Sequence, residues 1–143
     1  MANTISKINV GGTSYNVYDP DIRTVKHAAG TMASTTGLQS GGSADFYLCG
    51  KVVMCHINLT YEVTGAGSVY FGVAKVPSGF MPSNGLYDAA IIIGYSGGST
   101  IQNGNAYPLR IDINSSGYIQ MTGKDASSGM TIRVNTSFMY MLV

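Results

Sequence analysis

From Asp45 onward the chain is a succession of short β-rich runs separated by turn residues, and this rhythm constrains its fold more than any other feature. Ile57, Leu59 and Tyr61 alternate with His56, Asn58, Thr60 and Glu62. One face of that run is apolar and the other polar, the period-two pattern of a half-buried strand. Leu109, Ile111 and Ile113 likewise alternate with Arg110, Asp112 and Asn114. Asn114-Ser115-Ser116-Gly117 then makes a turn, and Ile119 and Met121 return with Tyr118, Gln120 and Thr122 outward, which reads as a hairpin. Further strands are expected at Phe46–Cys49, Lys51–Tyr61 after a break at Gly50, Ser68–Val76, Asp88–Tyr95, Ile132–Val134 and Phe138–Val143. Turns at Thr64–Gly67 and Lys124–Gly129, and loops over 77–85 and 97–104, separate them. Asp88–Tyr95 is apolar on both faces through Ile91, Ile92 and Ile93, and so is Phe138–Val143. Such strands are central or covered twice, and a second chain would supply the second cover.

The first 44 residues differ. Ile5, Ile8 and Val10 precede Gly11-Gly12, and Tyr15, Val17 and Tyr18 follow, a hairpin signal in which both glycines tolerate a tight turn. Asp19 has the character of an N-cap and Pro20 of a first helical residue. Ile22, Val25 and Ala29 then fall near one helical face, and Gly30 is a stop. The pattern predicts a helix of about ten residues, too short to stand without a partner. Residues 31–44 are rich in Ser, Thr and Gly and read as a linker or a loosely held strand. The expected architecture is all-β: an antiparallel β-sandwich or jelly-roll-like head over 45–143, a linker over 31–44, and a short hairpin plus helix over 1–30.

Charged residues make up 10% of the chain and the net charge is +1, so nothing electrostatic argues for nucleic acid or an anionic membrane. The longest apolar run, Ala89–Ile93, is too short to cross a bilayer, and membrane insertion is not expected. MANTISKINV lacks the basic start and apolar core of a signal peptide, so synthesis in the cytoplasm is expected. The polar surface must come from Ser, Thr, Asn, Gln and Tyr. That suits hydrogen bonding to uncharged ligands, or a chain that hides much of itself in an oligomer.

Cofactor, metal and catalytic sites find no support. Cys49 and Cys55 would lie about 20 Å apart on one strand. With a turn at Gly50-Lys51, Cys55 would instead face the region of Phe46. Neither arrangement makes a disulfide, so both are read as buried thiols. Cys55 and His56 are adjacent, so on a strand they point to opposite faces and cannot share a zinc ion. His27 and His56 are the chain's histidines, no Gly-x-Ser-x-Gly elbow is present, and the few carboxylates form no evident catalytic pair. Asp112 is expected to pair with Arg110 or a cross-strand neighbour.

The run Val69-Tyr70-Phe71-Gly72-Val73-Ala74, followed by Lys75-Val76-Pro77-Ser78-Gly79-Phe80-Met81-Pro82-Ser83, resembles the head domains of phage tail-fibre and baseplate receptor-binding proteins. The hairpin Leu109-Arg110-Ile111-Asp112-Ile113 to Gly117-Tyr118-Ile119 and the opening Gly50-Lys51-Val52-Val53 resemble the same heads. Ile5-Ser6-Lys7-Ile8-Asn9-Val10-Gly11-Gly12, continuing through Tyr15-Asn16-Val17-Tyr18-Asp19, resembles a short leader on structural proteins of phages infecting Gram-positive bacteria. The resemblance implies a homotrimeric virion component that binds host cell-surface polysaccharide without cleaving it and attaches to other phage tail or baseplate proteins. The chain departs from the pattern in lacking Trp and a long shaft. Tyr87, Tyr95, Tyr107 and Tyr118 lie near strand ends, where a ring can stack on a sugar, although packing is the plainer role for any one of them. Under this reading Tyr95, Tyr107, Asp88 and Arg110 are the candidate glycan contacts. The rival reading is a purely structural accessory protein of the baseplate, tail tip or capsid.

Overall fold

The computed structural model describes residues 7–10, 12–16, 25–96 and 105–142. Strands β1 (Lys7–Val10) and β2 (Thr13–Asn16) pair as the antiparallel hairpin expected around Gly11-Gly12, with Gly12 at a φ of 84°. All other strands belong to one antiparallel sheet. They are β3 (Lys26–Ala29), β4 (Thr31–Met32), β5 (Ser43–Cys49), β6 (Val52–Glu62), β7 (Gly67–Lys75), β8 (Leu86–Ser96), β9 (Asn105–Ile113), β10 (Tyr118–Ala126) and β11 (Thr131–Met141).

The order across the sheet is β3-β5-β6-β11-β8-β9-β10-β7-β4, so two strands consecutive in the chain occupy its opposite edges. The sheet therefore curls round until its edges nearly meet, and Gly30 turns the corner between them. The Gly30 N–H donates to Ala44 O at 2.7 Å. A Cβ there would lie 2.8 Å from Phe46 Cε2 and 3.0 Å from Lys75 O, so only glycine lets the two edges approach this closely. The following residues continue as a strap. Ala33 N–H and Thr35 Oγ1 donate to the β7 carbonyls of Val73 and Gly72, and Gln39 N–H donates to Thr60 O of β6. Leu38 forms a bridge with Tyr61. The stretch expected as a linker thus supplies β4 and this strap.

Alternation decides what enters the core. Ile57, Leu59 and Tyr61 of β6 point inward, as do Leu109, Ile111 and Ile113 of β9 and Ile119 and Met121 of β10. They close over Phe46, Phe71 and Ile132, and the Tyr61 and Phe71 rings stack with centroids 3.9 Å apart. Each such aliphatic or aromatic side chain contributes about 1.5–3 kcal/mol by leaving water. The β8–β11 register comprises Ser96 with Ile132 and Tyr95 with Arg133, after which those strands part. Residues 76–85 fill the mouth. Phe80 is buried edge-on against Phe46, and its carbonyl accepts the Tyr140 hydroxyl at 2.6 Å.

One expectation is corrected. Lys26–Ala29, expected as the end of a helix, is β-strand, paired from Lys26 with Leu48 to Ala29 with Asp45; residues 19–24 of that expected helix lie outside the described residues. A helix of that length has little stability of its own, whereas an unpaired β5 edge leaves a row of backbone groups without partners. Pairing also sets His27 beside Tyr47, ring centroids 4.7 Å apart, and within 3.1 Å of Asp45. The runs at Ile132–Val134 and Phe138–Val143 join into the single strand β11. Cys55 lies opposite Phe46, as a turn at Gly50 requires, and Gly50 has a φ of 59°. The loop expected over 97–104 lies outside the described residues.

Candidate functional site

Strands β9 and β10 are paired from Ile113 with Ile119 as far as Arg110 with Thr122. Beyond that rung β9 stays with β8, down to Asn105 opposite Ser96, while β10 stays with β7. The fork between them is an open groove of about 590 Å³, lined among others by Ile91, Tyr107, Pro108, Arg110, Thr122 and Lys124. Leu109, Gly123 and Asp125 complete the lining.

Two local features hold the fork open. The Tyr107 ring packs across Gly123, where a Cβ would fall 2.6 Å from the ring carbon Cε1 and 2.8 Å from the hydroxyl. That hydroxyl donates to Lys124 O at 2.6 Å and so bridges the two diverging strands. Burial, with the Asp125 charge in second place, pushes the Tyr107 hydroxyl above its ordinary pKa and keeps it a donor.

The groove is also flanked by bent backbone. The β8–β9 register shifts between Leu86 and Ala90, and the β10–β7 register between Gly123 and Ala126. Within these bulges Asp88 and Asp125 take φ values of 53° and 59°; among the described residues they are the non-glycine positions with positive φ. Such a backbone costs about 1 kcal/mol per residue, and strained residues cluster at binding sites. Asp88 is fixed by its own N–H, which donates to Asp112 Oδ1 at 2.6 Å. Asp112, buried under the rim, also accepts from Arg110 Nη2 at 2.9 Å, as its expected pairing with Arg110 requires. Arg110 Nε lies 3.3 Å from Asp88 Oδ1, so the guanidinium sits between two carboxylates. Beside it, the Thr122 hydroxyl is buried without a hydrogen-bond partner.

The structure thus brings three of the four candidate contacts together. Arg110 and Tyr107 line the groove, and Asp88 reaches it through Arg110. Tyr107 forms a wall, since its ring is buried and its hydroxyl is committed to the backbone. Tyr95 lies farther along β8, opposite Ala106 and Arg133, and does not line the groove. Sequence reasoning missed Ile91, Thr122, Lys124 and Asp125. The sequence pattern places Ile91 only in a strand needing cover, and Lys124–Asp125 only in a turn. Their convergence depends on where two strands stop pairing, for which the alternation carries no signal.

Elsewhere on the outer surface, cross-strand neighbours Val52 and Met141, and Met54 and Met139, form an exposed apolar patch on β6 and β11. Cys55 is buried, and burial followed by the Asp45 charge pushes its thiol up to about 12, so it is not a nucleophile at neutral pH. Among the described residues no helix is long and apolar enough to cross a membrane.

No protein-family model matches the chain, and no curated protein matches it. Among solved structures it is similar to the C-terminal receptor-binding domain of the avian reovirus fibre protein sigmaC, in a zinc crystal form. The identity is 15%, the match covers 96% of this chain and 94% of that one, and the TM-score is 0.45.

Proposed function

We propose that this chain is the receptor-binding head of a tail fibre or baseplate in a phage or prophage of a Gram-positive host. It acts as a homotrimer in the virion and binds host cell-surface glycan without cleaving it. The groove at the β9–β10 fork is the observation that carries this reading. Its volume falls within the range of ligand sites, and its lining combines the apolar Ile91, Pro108 and Leu109 with the polar Arg110, Thr122, Lys124 and Asp125. Ile91 and Pro108 suit the apolar face of a sugar ring, while Arg110, Lys124 and Asp125 suit its hydroxyls. Binding without cleavage is supported by Asp88 and Asp112, both tied to Arg110 and neither placed as a general acid. The exposed Met139 and Met141 of β11 support assembly, since these are outward positions of a strand apolar on both faces. Three weak sites would then act together through avidity.

The patch of Val52, Met54, Met139 and Met141 also favours the rival reading, docking onto other virion proteins. Binding of the purified protein to isolated host envelopes separates the two. The receptor-binding reading expects retention on envelopes that is lost in Ile91→Asp, an exposed rim position whose change leaves the core alone. Absence of any envelope binding by the wild type would leave the structural role standing.

A further inference from the structure

Resting on the groove being a glycan site, we propose that Asp88 is its charge selector, making the site specific for uncharged polysaccharide and closed to acidic polymers. A basic residue in a ligand groove ordinarily recruits phosphate or carboxylate. Here Arg110 is already answered. Its Nη2 is 2.9 Å and its Nε 3.1 Å from Asp112 Oδ2, and its Nε is 3.3 Å from Asp88 Oδ1. Arg110, Lys124 and Asp125 line the groove and Asp88 and Asp112 hold Arg110, so these five side chains carry two positive and three negative charges, a net of −1. An anionic ligand would meet that negative balance and would have to displace a carboxylate from Arg110. A neutral sugar needs neither, and it offers hydroxyls to carboxylate oxygens that still have acceptor capacity.

The two carboxylates do different jobs. The Asp112 side chain is 6% exposed and accepts the Asp88 N–H, so it is a fixed part of the frame. The Asp88 side chain is 71% exposed and lies on the solvent side of the guanidinium. It is the removable half of the neutralisation. The left-handed backbone at Asp88 keeps it there, and Asn is the other side chain that adopts such a φ readily. Asp88→Asn therefore removes the charge while keeping shape and backbone.

The test measures binding of wild type and Asp88→Asn to surfaces coated with neutral polymers (dextran, mannan, galactan) and acidic ones (polygalacturonate, polyglycerol phosphate). Urea midpoints for both proteins confirm equal folding. Wild type is expected to favour its best neutral polymer over every acidic one by about tenfold or more. Asp88→Asn should narrow that ratio to within about threefold or invert it by gaining acidic polymers. The gain should fade at about 1 M salt, where screening shortens to about 3 Å. Adding Arg110→Gln should abolish it. If wild type binds acidic polymers as well as neutral ones, or if the variant keeps the wild-type ratio, charge selection by Asp88 is wrong while glycan binding stands. If neither protein binds any polymer, the glycan reading itself falls, and this inference with it.

Discussion

Replacing Gly30 by Ala tests the closure of the sheet directly. The added methyl would sit 2.8 Å from Phe46 Cε2, 3.0 Å from Lys75 O and 3.3 Å from Ala44 O. Two of these neighbours are backbone atoms of β7 and β5, which can retreat only by loosening the strands at opposite edges of the sheet. Overpacking of this kind costs about 1–3 kcal/mol. Stretching the 2.7 Å Gly30–Ala44 hydrogen bond adds about 1 kcal/mol. Against this, Ala restricts the unfolded chain and returns about 0.4–1 kcal/mol. The net expectation is a loss of about 1–3 kcal/mol, which at a urea dependence of about 2 kcal/mol/M lowers the midpoint by about 1 M. Gly65→Ala is the matched control, because a Cβ there meets nothing within 4 Å. It carries the same unfolded-state gain without the clash, so its midpoint should hold or rise. Urea unfolding followed by far-ultraviolet circular dichroism reads both. A Gly30→Ala midpoint equal to that of Gly65→Ala would refute the account of the corner.

The groove gives a second expectation. Gly123→Ala must push the Tyr107 ring off β10, costing about 1–3 kcal/mol by urea unfolding and weakening envelope binding together. Asp112→Ala strips a buried carboxylate from Arg110 and from the Asp88 N–H, and should cost about 2–3 kcal/mol in the same assay. Cys55 predicts the alkaline limb. Its unfolded thiol ionises near 9 while the folded one stays protonated until about 12, so its contribution is intact below pH 9 and lost as pH rises from 9 towards 12. Between pH 9 and 11 wild type should lose up to about 1.4 kcal/mol per pH unit more than Cys55→Ala, read from urea midpoints across that range. Parallel slopes would show that the thiol ionises freely in the folded state.

Much of the fold was legible because alternation and turn chemistry are local. The β9–β10 hairpin is the clearest case. Ile111, Ile113, Ile119 and Met121 are fully buried, Gly117 has the positive φ its turn demands, and Asn114 Oδ1 accepts from Ser116 and Tyr118 N–H. The central place of β8, between β11 and β9, was legible too, with Ile92 buried and Ile91 79% exposed on the outer face. What misled was the segment around Lys26–Ala29, whose cap and spacing satisfy a helix locally. Its strand state is imposed by β5, a partner that follows it in the chain and whose bare edge no local pattern reveals. The site was half legible for the same reason. Arg110 and Asp112 stand two residues apart and declare their pairing, but Asp88 joins them only through a bulge, and Asp125 shares the groove with Arg110 only beyond the point where β9 and β10 stop pairing. Bulges obey neither period.

The strap that spans both edges of the sheet also sets an order of events during synthesis. Residues 26–39 leave the ribosome before any of the strands they fasten. They can dock fully only when β5, β6 and β7 are all in place, and β7 needs β10 beside it. The strap can therefore settle only after strands that follow it in the chain, and until β10 has been made the sheet stands open along one seam.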